Sequence, residues 1–310
     1  MKVGYPCSNP TIGSRASRTF RLASYSPDRF LETVRLNLEG LLGILEWNLE
    51  HDIRYFRISS GTITLSSHPI IDVDWQRHFA DQLAAIGDFI IRNRMRINVH
   101  PGQYTLLNSP KPDVVERSIA ELMYHAELID LMGLDDTNKI QIHTGGVYGE
   151  KEQAIQRFID TYATLPSPIR ARLVIENDDR QYSLQDNLVI YEACGIPLLF
   201  DTFHHSIFNN GESLPEAFDL FMPTWNGHGT PMMDYSSQHG ERRTGAHTMS
   251  IDLNDFAKVI NDLGDRDIEI MLEIKDKEQS ALKAIAWLDA RQPHLAERRT
   301  LEPVIQDQPA

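Results

Sequence analysis

Cysteine is almost missing from this sequence. Its 310 residues include two, Cys7 and Cys194. Their separation has no metal-site spacing, and two thiols make no disulfide framework, so a reducing compartment is the expected setting. Long apolar runs are missing too. No stretch reaches the ~20 residues that cross a bilayer, and the opening Met1-Lys2-Val3-Gly4-Tyr5-Pro6 carries no apolar signal-type core. A cytoplasmic protein with no membrane partner is therefore expected. Positive charge is in deficit, with 30 Lys and Arg against 44 Asp and Glu and a net charge of -14. That argues against a nonspecific nucleic-acid coat protein. It leaves room for an enzyme acting on DNA, because a carboxylate-rich metal site adds acidic residues and its cations reverse the local field. A glycine-rich phosphate loop is also lacking. Tyr5-Pro-Cys-Ser-Asn9 stands where a doubly wound nucleotide-binding sheet needs closely spaced glycines.

What is present is a cadence of short apolar runs and amphipathic stretches. The apolar runs predict strands over residues 3–5, 55–58, 97–99, 140–142, 173–175, 198–200, about 232–233, and 268–272. The stretches between them predict helices over 28–50, 74–92, 113–132, 151–162, 185–193, 214–221, 253–263 and 278–290. Strict alternation without a linker predicts one α/β domain over residues 1–290, a single (β/α)8 TIM barrel. Residues 291–310, rich in proline and charge, are expected to form a flexible tail.

The ends of the predicted strands share one chemistry. His68, His100, His143, Glu176, Asp201 with His204, Asp234, His247 and Glu273 stand at or soon after them. In a barrel, strand C-termini open on one face, so side chains far apart in sequence converge there. Imidazole with carboxylate, and no thiol, suits Zn²⁺ or Mn²⁺ in a multinuclear site at that face. Such a site activates water and stabilises charge in an in-line phosphoryl displacement.

Other polar residues are read by their position. Arg15, Arg18 and Arg21 follow the first strand on the active face and are candidate phosphate contacts, as are Arg242, Arg243, Lys275 and Lys277 after later strands. Arg92, Arg94 and Arg96 precede a strand, on the opposite face, and are expected to be solvated. Arg57, within a strand, is expected to be an interior ion-pair partner.

Gly4-Tyr-Pro-Cys-Ser-Asn9, His100-Pro-Gly-Gln-Tyr104, Glu176-Asn-Asp, Asp201-Thr-Phe-His-His205, Pro223-Thr-Trp, Gly245-Ala-His247 and Lys275-x-Lys-Glu-Gln279 occur in order along most of the chain. Together they resemble the UV damage endonuclease family. The resemblance implies a barrel holding three divalent ions, with Mn²⁺ ahead of Zn²⁺ or Mg²⁺, and a monomer is expected. The implied partner is UV-damaged double-stranded DNA. The implied reaction is hydrolysis of the phosphodiester immediately 5′ to pyrimidine dimers, 6-4 photoproducts and abasic sites. The metal positions would be His68, His100, His143, Glu176, Asp201, His204, Asp234, His247 and Glu273, with Glu176, Asp201 and Glu273 as the catalytic carboxylates. Gln103 and Tyr104 match a pair that wedges into the duplex. Tyr5 and Asn9 match residues lining a lesion pocket, to which Arg15 and Arg18 add DNA contacts.

One run departs from the family pattern. Where the pattern has Pro-Lys-x-His, this chain has Pro231-Met232-Met233-Asp234. Asp234 offers a hard oxygen in place of an imidazole, which shifts the expected preference toward Mn²⁺ or Mg²⁺. Met232 cannot play the part of the lysine that is modified and metal-linked in some family members. Two other readings stay open: a metal-dependent sugar isomerase or epimerase of similar fold, and a lesion-binding protein without chemistry.

Overall fold

A computed structural model describes residues 1–293 of the chain. Eight parallel strands close into a barrel: β1 Val3–Pro6, β2 Tyr55–Ile58, β3 Arg96–Val99, β4 Lys139–His143, β5 Leu173–Glu176, β6 Leu198–Asp201, β7 Met232–Tyr235 and β8 Glu269–Leu272. The seam is made by β1, which pairs with β8 through Val3 and Ile270 and with β2 through Tyr5 and Phe56. Both faces of these strands are covered, which explains why they read as unbroken apolar runs rather than alternating ones. The seam is tight at Gly4. A Cβ there would overlap the carbonyl oxygen of Tyr55, so only glycine lets β1 and β2 pair.

Helices wrap the outside, and their starts are written in the sequence. Ser26 accepts the amide of Arg29 and caps the helix Pro27–Glu50, while Asp74 accepts that of Arg77 and caps Trp75–Arg92. The first of these lays Phe30, Val34, Leu38, Leu41 and Leu45 against the barrel. Added to the expected elements are a small hairpin, Ser8–Asn9 with Ser14–Arg15, and two short helices, Ser167–Arg172 and Thr202–Ile207. None of the described helices is long and apolar enough to cross a membrane. Most of the expected tail, residues 294–310, lies outside the described residues.

The expectation for Arg96 is corrected. Arg92 is exposed, but Arg96 is 5% exposed and plugs the N-terminal mouth of the barrel. It is the first residue of β3 and points inward, where Glu269, first in β8, accepts from its Nη1 at 2.6 Å. Carbonyls of Thr137 and Thr230 take its other hydrogens, and Trp225 lies under its guanidinium. The residue is on the stability face as expected, yet a charge at an inward register position must be paired rather than solvated.

Candidate metal centre

At the opposite mouth the strands deliver their polar ends to one place. β3 hands over His100 one residue past its end, β4 ends on His143, β5 on Glu176 and β6 on Asp201. Asp234 lies inside β7, and Glu273 directly follows β8. Glu176 is the hub. Its Oε2 lies 3.3 Å from His100 Nε2 and 3.7 Å from His143 Nδ1, and its Oε1 lies 3.2 Å from His204 Nδ1. Asp201 Oδ2 is 3.4 Å from His204 Nδ1.

Local structure explains the Asp201-x-x-His204 spacing. Asp201 Oδ1 accepts the His204 amide at 2.8 Å and caps the helix Thr202–Ile207. The cap directs both side chains to the same side. Asn177 fixes them from β5: it exchanges two 2.9 Å hydrogen bonds with the backbone of Asp201, and its own carbonyl accepts from His204 Nδ1 at 2.9 Å. Two other rings are pinned similarly. His100 Nδ1 donates to the carbonyl of Pro101 and His247 Nδ1 to that of Glu273. In the neutral ring each of these contacts keeps the proton on Nδ1 and leaves Nε2 open as a donor to a metal ion.

Among the described residues, three groups bring one ligand atom from each member within 4.8 Å of one another: His100, His143 and Glu176; Glu176, Asp201 and His204; and Asp201, Asp234 and Glu273. The residues fit metal ions on two further grounds. His143 Nδ1 and Asp201 Oδ2 are buried without a hydrogen-bond partner, a costly state that a bound cation would relieve. The carboxylates are also crowded. Burial, with Glu176 and Glu273 nearby, pushes the Asp201 carboxyl up to about 6 although His204 favours its ionisation. At Asp234, burial and the neighbouring Glu273, Glu176 and Asp201 oppose ionisation, while Arg57, in direct contact with both carboxylate oxygens, favours it. Burial also opposes ionisation of Glu176, but the imidazoles of His143, His100 and His204 hold it well below the usual carboxylate range. His204, despite burial, is pushed up to about 11 by Asp201 and Glu176. So much buried negative charge calls for positive charge in its midst.

Above the centre opens a cavity of about 430 Å³, lined by His100, Gln103, His143, His247 and Glu273, with Cys7, Arg57, Lys275 and Lys277 around it. Burial lowers the Lys277 amine's affinity for its proton. Gln103 is exposed on the rim and Tyr104 projects furthest, 81% exposed.

The remaining expected site residues lie outside the three groups. His68 and His247 belong to none of them; His68 lies in a turn past β2, and its Nδ1 accepts the amide of Ile70. Tyr5 and Asn9 are fully buried and do not line the cavity. The Tyr5 hydroxyl donates to Asn48 at 2.6 Å and accepts from Asn9 at 2.9 Å, beneath the small hairpin. Arg15 is exposed on that hairpin, whereas Arg18 Nη1 is engaged by the carbonyls of Arg15 and Leu36. Sequence reasoning missed Asn177 and Gln141, whose Oε1 accepts from Asn98 Nδ2 at 3.1 Å. An amide between two isoleucines, as at Gln141, was the available signal, since such a residue in a strand covered on both faces must meet a polar partner.

The family model for the UV-endonuclease UvdE matches residues 1–300. The chain belongs to the UV-endonuclease family. The UV DNA damage endonuclease of Clostridium perfringens is 42% identical over 288 residues, covering 92% of this chain and 70% of that one. The crystal structure of SacUVDE superposes with a TM-score of 0.90 at 48% identity, covering 94% of this chain and 98% of that one. A D-psicose 3-epimerase, 13% identical with a TM-score of 0.58 over 96% of this chain and 100% of that one, shares the fold alone. The resemblance seen in the sequence motifs and the expected barrel both hold. Family membership marks an endonuclease of DNA repair, with potential metal-binding groups gathered at the C-terminal ends of its strands.

Proposed function

We propose that this chain nicks UV-damaged double-stranded DNA immediately 5′ to pyrimidine dimers and 6-4 photoproducts, and acts on abasic sites as well, leaving a 3′-hydroxyl. The observation that carries the reading is a vertical arrangement: an exposed amide and aromatic ring at Gln103 and Tyr104, a cavity beneath them, and a buried imidazole–carboxylate centre at its floor.

His100, His143, Glu176, Asp201 and His204 are the residues that would hold divalent ions, flanked by His247 and Glu273. Such ions supply Lewis-acid chemistry, acidifying water and offsetting charge on phosphate oxygens. A set mixing imidazoles with several carboxylates suits Mn²⁺ ahead of Zn²⁺ or Mg²⁺. The protein's own groups do the rest. Lys275, Lys277 and Arg15 attract the backbone phosphates of the substrate. Gln103 and Tyr104 enter the duplex where damaged stacking is cheapest to open, which contributes lesion selectivity. Tyr5 and Asn9 act from below, fixing the hairpin that carries Arg15. One chain supplies every group named, so a monomer suffices, and a cytoplasmic setting agrees with the unpaired thiols.

A duplex carrying one defined cyclobutane dimer tests the reading. End-labelling of the damaged strand should reveal a single nick at the phosphodiester directly 5′ of the dimer, with a 3′ end that a polymerase extends. Cleavage on the 3′ side, or equal cutting of undamaged duplex, would refute it.

A further inference from the structure

A polar layer crosses the barrel directly below the centre. Arg57, on β2, is 3% exposed, and its Nη2 shares its hydrogens among both oxygens of Asp234, each at 2.7 Å, and Gln141 Oε1 at 2.8 Å. Its Nη1 donates to Glu273 Oε1. Gln141 Nε2 continues the layer to Asp234 Oδ2 at 2.7 Å and to Glu176 Oε2 at 2.6 Å. Asp234 has no exposed surface, so neither of its oxygens has solvent as a further partner. The three candidate groups therefore differ. In the one made by Asp201, Asp234 and Glu273, two of the three carboxylates, Asp234 and Glu273, already hold a guanidinium. Among the described residues, neither of the other two makes an ion pair with a Lys or Arg, and His143 Nδ1 in the first of them is buried with no hydrogen-bond partner; Asp201 Oδ2, likewise unpartnered, is shared with the third.

We propose that Arg57 is the fixed cation of this centre: it takes the place of one metal ion, Asp234 is its counter-ion rather than a metal ligand, and the chain binds two divalent ions. This rests on the metal-dependent reading above. The two ions occupy the group of His100, His143 and Glu176 and the group of Glu176, Asp201 and His204. A guanidinium never loses its proton in a protein, and here one nitrogen, Nη2, spans both oxygens of Asp234 while Nη1 serves Glu273. A divalent ion placed among Asp201, Asp234 and Glu273 would face that charge at contact distance, with Asp234 already turned toward Arg57. The neighbouring Met232 and Met233 bring no hard oxygen that could compete. Arg57 thus acts as a positioning residue. It fixes Glu273 directly and Glu176 through Gln141, and it supplies positive charge that chelators cannot remove.

The test counts bound metal, a readout independent of DNA cleavage. Protein stripped with chelator is reloaded with Mn²⁺, freed of excess by gel filtration and analysed by elemental mass spectrometry, with the melting temperature as a check on folding. Two Mn²⁺ per chain are expected in the wild type and in Asp234→Asn, whose amide oxygen still accepts from Arg57. Glu176→Gln, which alters the ligand shared by both groups, should lose at least half of the bound Mn²⁺. Three Mn²⁺ in the wild type, or the loss of one in folded Asp234→Asn, would overturn the role of Arg57 while leaving a metal centre. No Mn²⁺ in the wild type would overturn the metal-dependent reading and this inference with it.

Discussion

Lys139 shows how much a single residue's register decides. It opens β4 and is 1% exposed, with Nζ donating to the carbonyl of Ala171 and lying over Trp225. Burial, helped by Arg96, lowers its pKa to about 8. The unfolded chain therefore binds more protons than the folded one between about pH 8 and the ordinary lysine value. Stability should rise with pH through that window, since the cost of burying the charged amine is fully present below it and lifted above it. The melting temperature of Lys139→Met minus that of wild type should be most positive near pH 7 and shrink by pH 10. A difference constant over that range would show that Lys139 stays charged throughout. The same inward register explains Arg96, whose class of position was legible in the sequence while its partner was not. Glu269 is 173 residues away, and only barrel closure brings the two together.

At the scale of elements, the loop after β3 carries the clearest functional claim. Pro101 and Gly102 break the strand, so Gln103 and Tyr104 project from the rim instead of packing under it. Replacing both by alanine removes a base–aromatic contact worth roughly 1–3 kcal/mol, so incision of a dimer-containing duplex should slow about 10- to 100-fold with little change in melting temperature. An unchanged rate would show that the loop plays no part in opening the duplex. The strands and most helices were legible because Pro, Gly and capping residues punctuate them. The helix Thr202–Ile207 was hidden, because Asp201 serves as cap and candidate ligand at once and only the second role stood out. His68 stands ten residues past the end of β2, in a turn where its Nδ1 accepts the amide of Ile70, so its ring is set by the loop rather than by a strand end.

The whole molecule is a barrel whose two mouths handle charge differently. The N-terminal mouth is closed by the pairing of Arg96, Lys2 and Glu269. The C-terminal mouth gathers carboxylates and imidazoles with fewer cations than anions, and cationic residues stand on its rim. The four carboxylates of the centre contribute a part of the net charge of -14 and turn it inward, where cations would bind, while cationic residues face the substrate side. The convergence of the centre was legible, since strand order alone brings strand ends together. The depth of Tyr5 and Asn9 was not, because it depends on Asn48, a helix residue, reaching across to accept from the Tyr5 hydroxyl, which in turn accepts from Asn9.

The most direct test of metal-dependent attack on damaged DNA is incision of an end-labelled, UV-irradiated duplex by chelator-treated protein, with and without added Mn²⁺. Wild type should nick the irradiated strand only when Mn²⁺ is restored, by at least 100-fold over the stripped protein. Glu176→Gln should stay inactive under both conditions while melting as a folded protein. Undiminished nicking in excess chelator, or full activity of Glu176→Gln, would contradict the account at its centre.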